Sequence, residues 1–260
     1  MSISKPFFTI ITPTYNSENY LDECIKSIES QEFKDWEHVF IDSFSSDRTM
    51  SILRAYKKRH PHKVKIYQYP KNGISDAFNK GIKKSSGKYI NFLGSDDLLE
   101  KNALTIVHKN MCPGNYSWCF GDFTKIDEFG DFTKSKNYHF EPLVYPNLLI
   151  HLYICHQTVF SSRKLFDNFG YFKNNLHYCM DHDFIMRIWK NSRFLYIPKF
   201  LSRFRITGKN PSSFRRLQFI EKNEVIFANS TVFLSLITAP FRFFDFYLYS
   251  IADFIKKSFK

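Results

Sequence analysis

Short apolar runs alternate with longer amphipathic stretches through the first hundred residues. Phe7 to Thr12 (FFTIIT) is an apolar run closed by Pro13, and Asn16 or Ser17 can then cap a helix striped by Leu21, Ile25 and Ile28. The next unit repeats the pattern. His38 to Ile41 predicts a strand with Asp42 at its end, Ser45, Ser46 and Asp47 form a turn and cap, and Ile52, Leu53 and Tyr56 stripe a helix that stops before Pro61. Val64 to Tyr69 predicts a third strand, followed by Pro70, Asn72 and Gly73 and by a helix from Ser75 to about Lys84 with Asp76 near its start. Tyr89 to Leu93 predicts a fourth, which runs straight into Gly94, Ser95, Asp96 and Asp97. Strand and helix alternating at this spacing predict an α/β fold with a mostly parallel, Rossmann-like sheet, right-handed crossovers and helices on both faces. Three strands then end in Thr12-Pro13-Thr14, Asp42 and Asp96 on one edge of one sheet, the edge where open α/β sheets bind ligands.

Beyond Leu99 the pattern loosens. It predicts a helix over Leu99 to Met111, a strand at Trp118 to Phe120, a hairpin from Phe123 to Lys134 around Gly130, and a helical piece over Glu141 to Tyr153. An extended stretch at Gln157 to Phe160 precedes a helix capped by Ser162. Met180-Asp181-His182-Asp183 opens another, striped by Phe184, Ile185, Ile188 and Trp189. Phe194 to Arg205 reads as a strand and Gly208 to Ser213 as a loop. One domain accounts for residues 1–222. The tail, 223–260, sets polar Ser235, Thr238, Arg242, Asp245 and Asp253 against a wide apolar face that includes Phe233, Leu236, Ile237, Phe243, Phe244 and Tyr247. Pro240 divides it into two predicted amphipathic helices. Arg242 and Asp245 interrupt the apolar run well short of the ~20 residues a membrane span needs, so the tail reads either as an in-plane membrane element over 231–260 or as a packing surface.

Composition narrows the partners. The 37 Lys and Arg against 25 Asp and Glu point to an anionic partner such as a nucleotide or phospholipid headgroups, and the acidic strand ends count against nucleic acid. Five cysteines, odd in number and without C-x-x-C, read as reduced core thiols of a cytosolic protein. The start reaches Pro13 before any helical apolar segment of useful length, so no signal peptide is read. Neither a P-loop nor G-x-G-x-x-G is present, which argues against ATPases and dinucleotide enzymes. Two adjacent acids, Asp96 and Asp97, repel each other unless a hard cation or hydrogen-bond donors stabilise them; the plainer alternative is a turn acid and a helix cap.

Five blocks in order, FTIITPTYN, VFIDSFSSDRT, NGISDAFNKGIKKSSGKYINFLGSDD, ICHQTVF and MDHDFIMRI, resemble family 2 glycosyltransferases of the GT-A fold, of the bacterial polysaccharide and lipopolysaccharide type. The resemblance covers about residues 7 to 210. It implies that Thr12, Pro13, Thr14, Tyr15, Asp42, Asp76, Ser95 and Asp96 bind a nucleoside-diphosphate sugar, a UDP-sugar in the first place. It implies Mn²⁺ or Mg²⁺ on Asp96, Asp181 as the catalytic base of an inverting transfer, and His156, Gln157 and Arg205 near acceptor or diphosphate. The implied acceptor is lipid-linked or a glycan, met at the inner face of the cytoplasmic membrane. Three positions depart from the family pattern: Gly94 replaces the first acid of the metal motif D-x-D, Ser43 an acid, and Phe44 a glycine. The first departure keeps a non-catalytic nucleotide-sugar-binding or assembly subunit as the alternative.

Overall fold

The computed structural model describes residues 5–133, 154–207, 215–231, 234–244 and 247. Strands β1 (Phe8–Thr14), β2 (Trp36–Asp42), β3 (Val64–Gln68) and β4 (Tyr89–Phe92) lie parallel in the order β3-β2-β1-β4, with Thr14 in register with Asp42. Helices α1 (Leu21–Glu29), α2 (Thr49–Arg59) and α3 (Ile74–Lys84) connect them. Strand alternation divides the core between the two faces. Phe8, Ile10 and Phe40 meet Leu21, Ile25 and Ile28 of α1 and Leu53 and Tyr56 of α2 on one side. Ile11, Val39 and Ile41 meet Ala77, Phe78 and Ile82 of α3 on the other. Each fully buried aliphatic here contributes about 1.5 to 3 kcal/mol. Gly81 lets α3 sit close on β1, since a Cβ there would lie 2.3 Å from Ile11 Cγ2.

The sheet continues as β7 (Phe160–Ser162), β6 (Trp118–Ile126), β8 (Phe194–Arg205) and β5 (Leu98–Leu99). β7 runs antiparallel to β4 and β6, β6 parallel to β8, and β5 antiparallel to β8. Leu98 and Leu99 are therefore strand rather than helix. They pair with Arg203 and Ser202, and Asn102 at φ 65° turns the chain into α4 (Ala103–Met111). Of the hairpin expected from Phe123 to Lys134, the described residues hold the bridge from Ile126 to Phe132 and the bond from Thr133 N to the Lys125 carbonyl (3.3 Å), around a turn in which the Asp127 carboxylate accepts from the amides of Phe129 and Asp131. Glu141 to Tyr153 and Gly208 to Ser213 lie outside the described residues.

Helices α5 (Arg163–Phe169), α6 (Met180–Trp189) and α7 (Arg215–Asn229) pack on the α3 face. α7 crosses residue 222 without a break and sends Val225 and Ile226 into that core. An eighth helix, α8 (234–244), runs through Pro240 instead of stopping there. The carbonyl that a proline leaves unpaired belongs to Leu236, whose side chain is 65% exposed, so the lost bond falls on the open face of the helix. Ser235, Thr238 and Arg242 are buried, while Leu236, Ile237, Phe241, Phe243 and Phe244 face out. This helix packs through its polar side. Arg242 donates to Asn223 Oδ1 of α7 (2.7 Å), to the Ser235 carbonyl (3.0 Å) and to the Thr238 hydroxyl.

Candidate active site

The ends of β1 and β2 bring the first group together. Asp42 is fully buried, and its carboxylate accepts from Thr14 Oγ1 (3.0 Å), Ser45 N (3.0 Å), Ser45 Oγ (2.6 Å) and Gln68 Nε2 (3.0 Å). That fills the roughly four lone-pair directions a carboxylate offers. A base N–H arriving here would displace one of these donors. Thr12 is also buried, its hydroxyl bonded to His38 Nε2 at 2.9 Å, and burial pushes the His38 imidazole down to about 3. Tyr15 is the open aromatic at this edge, with Lys71 Nζ 3.8 Å from its ring centroid. Pro13 is half-buried beside it. Phe44, at the position where the resemblance has glycine, takes φ 55° and leaves its ring 57% exposed. A bulky residue in that region stores on the order of 1 to 3 kcal/mol. Asp76, in the first turn of α3, is paired with Lys80 at 2.6 Å.

The acidic turn after β4 is the second group. Ser95 Oγ donates to Ser17 Oγ (3.0 Å), and Asp96 is half-buried. Asp97 is buried: Oδ2 accepts from Gln157 Nε2 (2.6 Å) and Oδ1 from Arg205 N (2.9 Å). Burial first, and the charge of Asp96 second, hold its carboxyl well above the usual carboxylate range. Asp97 is therefore neither helix cap nor bystander. Arg205, implied near the diphosphate, is buried: Nε donates to the Asp96 carbonyl (2.9 Å), Nη1 to the carbonyls of Asp127 and Glu128, and Nη2 to Glu23 Oε2 (2.7 Å). Gln157 and Arg205 thus clamp the turn from the far half of the sheet. A Cβ on Gly94 would stand 2.5 Å from Asp97 Oδ2 and 2.8 Å from Asp96 Oδ1, so these two carboxylates occupy the space from which a first motif acid would project. Among the described residues no three His, Cys, Asp or Glu side chains converge on a cation position. A cation shared with substrate phosphates suits this donor set, because Mg²⁺-like ions accept one or two protein carboxylates alongside phosphate oxygens.

Asp181 lies in the first turn of α6, half-buried, its Oδ1 accepting from His182 N at 2.8 Å. Desolvation raises its carboxyl to about 6, with the charge of Glu221 adding to the shift. The Cys155 thiol, pushed up chiefly by burial, donates to Gln157 Oε1 (2.7 Å), the side chain that bonds Asp97, and the charges of Asp97 and Asp181 both add to its shift. Asp183, the neighbouring acid, is fully buried and accepts from Lys173 Nζ (2.7 Å), Arg187 Nε (2.9 Å) and Asn229 Nδ2 (3.1 Å), a structural pairing. His156 packs against Phe92, Phe78 and Phe172, and burial pushes its imidazole down to about 3, leaving it neutral. Gln68, Lys71 and Glu221 escaped the sequence reading. For Glu221 a signal existed: it is an acid one turn before Val225, on the buried stripe of α7.

A family model described as "Glycosyl transferase family 2" matches residues 9–187. An uncharacterized glycosyltransferase of Rickettsia bellii is 32% identical over 205 residues, 78% of this chain and 29% of that protein. A putative teichuronic acid biosynthesis glycosyltransferase, TuaG, of Bacillus subtilis is 30% identical over 141 residues, 52% of this chain and 56% of that protein. The chain thus spans well under two thirds of either relative's length. Among solved structures, residues 1–349 of Staphylococcus aureus TarS with UDP superpose with a TM-score of 0.66 at 22% identity, covering 86% of this chain and 70% of that one. The mannosyltransferase PcManGT of Pyrobaculum calidifontis, in complex with GDP-Man and Mn²⁺, gives 0.64 at 16% identity, covering 88% and 66%. At these identities the likeness establishes the fold.

Proposed function

We propose, on the premise that the chain belongs to glycosyl transferase family 2, that it moves a sugar from a nucleoside-diphosphate sugar, a UDP-sugar in the first place, to a hydroxyl of a lipid-linked or polysaccharide acceptor. The observation that carries this reading is the acidic turn at the end of β4, held by Gln157 on Asp97, at the sheet edge that also presents Thr14 and Asp42. In an inverting displacement the acceptor oxygen bonds to the anomeric carbon as the bond to the diphosphate oxygen breaks. Asp181 takes the hydroxyl proton. A carboxyl near 6 is ionised at pH 7 yet more basic than an ordinary aspartate, as a general base requires. Tyr15, Pro13 and Thr14 wall the base, Asp42 receives its N–H, and Asp76 serves the ribose. Thr12, Ser95, Gln157 and Arg205 act from behind, fixing the strand ends and the acidic turn. Mn²⁺ or Mg²⁺ would be held by Asp96 together with the diphosphate, and when bound supplies Lewis-acid neutralisation of the leaving group.

The proposed location is the inner face of the cytoplasmic membrane. What supports it is α8, whose polar side is consumed by Arg242, Thr238 and Ser235 while Leu236, Phe241 and Phe244 stay open, with Lys256, Lys257 and Lys260 following in the sequence. No helix among the described residues is long and apolar enough to cross a membrane.

Thermal stabilisation by UDP, GDP, CMP and their sugars, with and without Mn²⁺, tests the donor site. A metal-dependent rise with one nucleotide, followed by donor turnover on a lipid-diphosphate acceptor, is expected. Stabilisation with no turnover on lipid-linked or glycan acceptors favours a binding or assembly subunit, and no stabilisation by any nucleotide removes the donor site.

A further inference from the structure

The segment that delivers Asp181 is held by a side chain from outside the matched family region. Glu221, on α7, is 8% exposed, and its carboxylate accepts three backbone amides in a row: His177 N on Oε2 (2.9 Å), and Tyr178 N (2.7 Å) and Cys179 N (2.6 Å) on Oε1. No side-chain cap of its own closes α6 at Cys179. Donors at a helix start need partners, and a negative charge there is also favoured by the helix dipole. Glu221 therefore satisfies from another helix the N-cap amide of Cys179, which the Glu of a capping box reaches locally, together with the two amides before it. Its own backbone is fixed, because Val225 and Ile226 on the next turn of α7 are core residues.

We propose that Glu221 is a positioning residue for the reaction: by gathering the amides of residues 177–179 it fixes where the first turn of α6 presents Asp181. The inference rests on Asp181 being the base. Two further facts support it. The same helix grips α6 again through Asn229, which donates to Asp183 at 3.1 Å, so α7 holds α6 at two separate points. The charge of Glu221 also adds to the upward shift of Asp181. The other ionisable groups around this carboxyl are the thiols of Cys155, before β7, and Cys179, at the helix start; Lys222 of α7 faces Cys179.

The test uses the full chain with ¹³C-carboxyl-labelled aspartate, Asp181 being assigned from the Asp181→Asn spectrum. Glu221→Gln keeps the shape and removes the charge. It is expected to lower the Asp181 titration midpoint by a small step, desolvation continuing to hold it above the ordinary aspartate range, and to slow UDP-sugar hydrolysis, water serving as acceptor, by about tenfold, with UDP binding unchanged. A midpoint that does not move overturns the proposal. A midpoint that moves while hydrolysis and its pH profile stay as in the unaltered chain supports the positioning contact and removes Asp181 as the base. Should Glu221→Gln not fold, hydrogen exchange on the unaltered chain decides: amides 177–179 protected like those of α6 support the contact, and loop-like exchange there overturns it.

Discussion

Asp42 and Asp181 are both acids placed by the start or end of a regular element, and their surroundings differ in kind. Asp42 takes two hydroxyls, an amide and a side-chain carboxamide from three residues on two strands and a turn. Asp181 is bonded by backbone amides at its own helix start, near a second negative charge, and its carboxyl rises to about 6. Donors saturate the first acid and hold it in place; desolvation leaves the second with appetite for a proton. Two residues further along α6, Asp183 repeats the first solution with Lys173, Arg187 and Asn229. One turn of one helix thus carries both kinds.

Each change below bears on that contrast. Asp181→Asn should lower turnover by about 10² to 10⁴-fold while UDP affinity holds, and in the unaltered chain kcat/KM should fall below pH 6 and stay level up to pH 8. Equal losses in turnover and in UDP binding would erase the distinction between the two acids. Asp183→Ala removes a fully buried carboxylate that accepts from Lys173, Arg187 and Asn229 and should cost about 3 kcal/mol in urea denaturation at pH 7. Asp42→Asn should raise donor KM about tenfold with kcat little changed, since it removes a charged acceptor from a binding surface. The smallest effect has the opposite sign. Because the folded-state carboxyl of Asp181 lies above its unfolded value, its contribution to stability is full below about pH 4 and is lost as pH rises through 6. Asp181→Asn should therefore stabilise the fold at pH 8 by about 1 to 2 kcal/mol and leave it unchanged at pH 4, as thermal melts at both pH values would read.

The first half of the sheet was legible because period-2 strands, period-3.6 helices and turn residues all agree there, and the strand ends follow from them. Leu98 and Leu99 misled because two apolar residues before a helix carry no period; only pairing with Arg203 and Ser202, a hundred positions away, makes them strand. Asp181 was placed by family resemblance and not by pattern. What holds it was invisible, since Glu221 bonds backbone amides and amides leave no mark in a sequence. Gln157 was singled out, but its bond to Asp97 was not, because that contact joins side chains 60 positions apart in the chain. Ser235, Thr238 and Arg242 of α8 share one face, and that face points inward, a choice set by Arg242 finding Asn223.

α7 also bears on how such chains can be recombined. Glu221 grips the segment that leads into α6, Asn229 the first turn of α6, and Asn223 the last turn of α8, so one helix is keyed to both neighbours at once. A chimera joined at the end of the family match, residue 187, would pair one parent's α6 with another parent's keys. A junction beyond Ser230 keeps α6 and α7 as a matched set, and leaves Asn223 and Arg242 as the contact to carry across when the tail is exchanged.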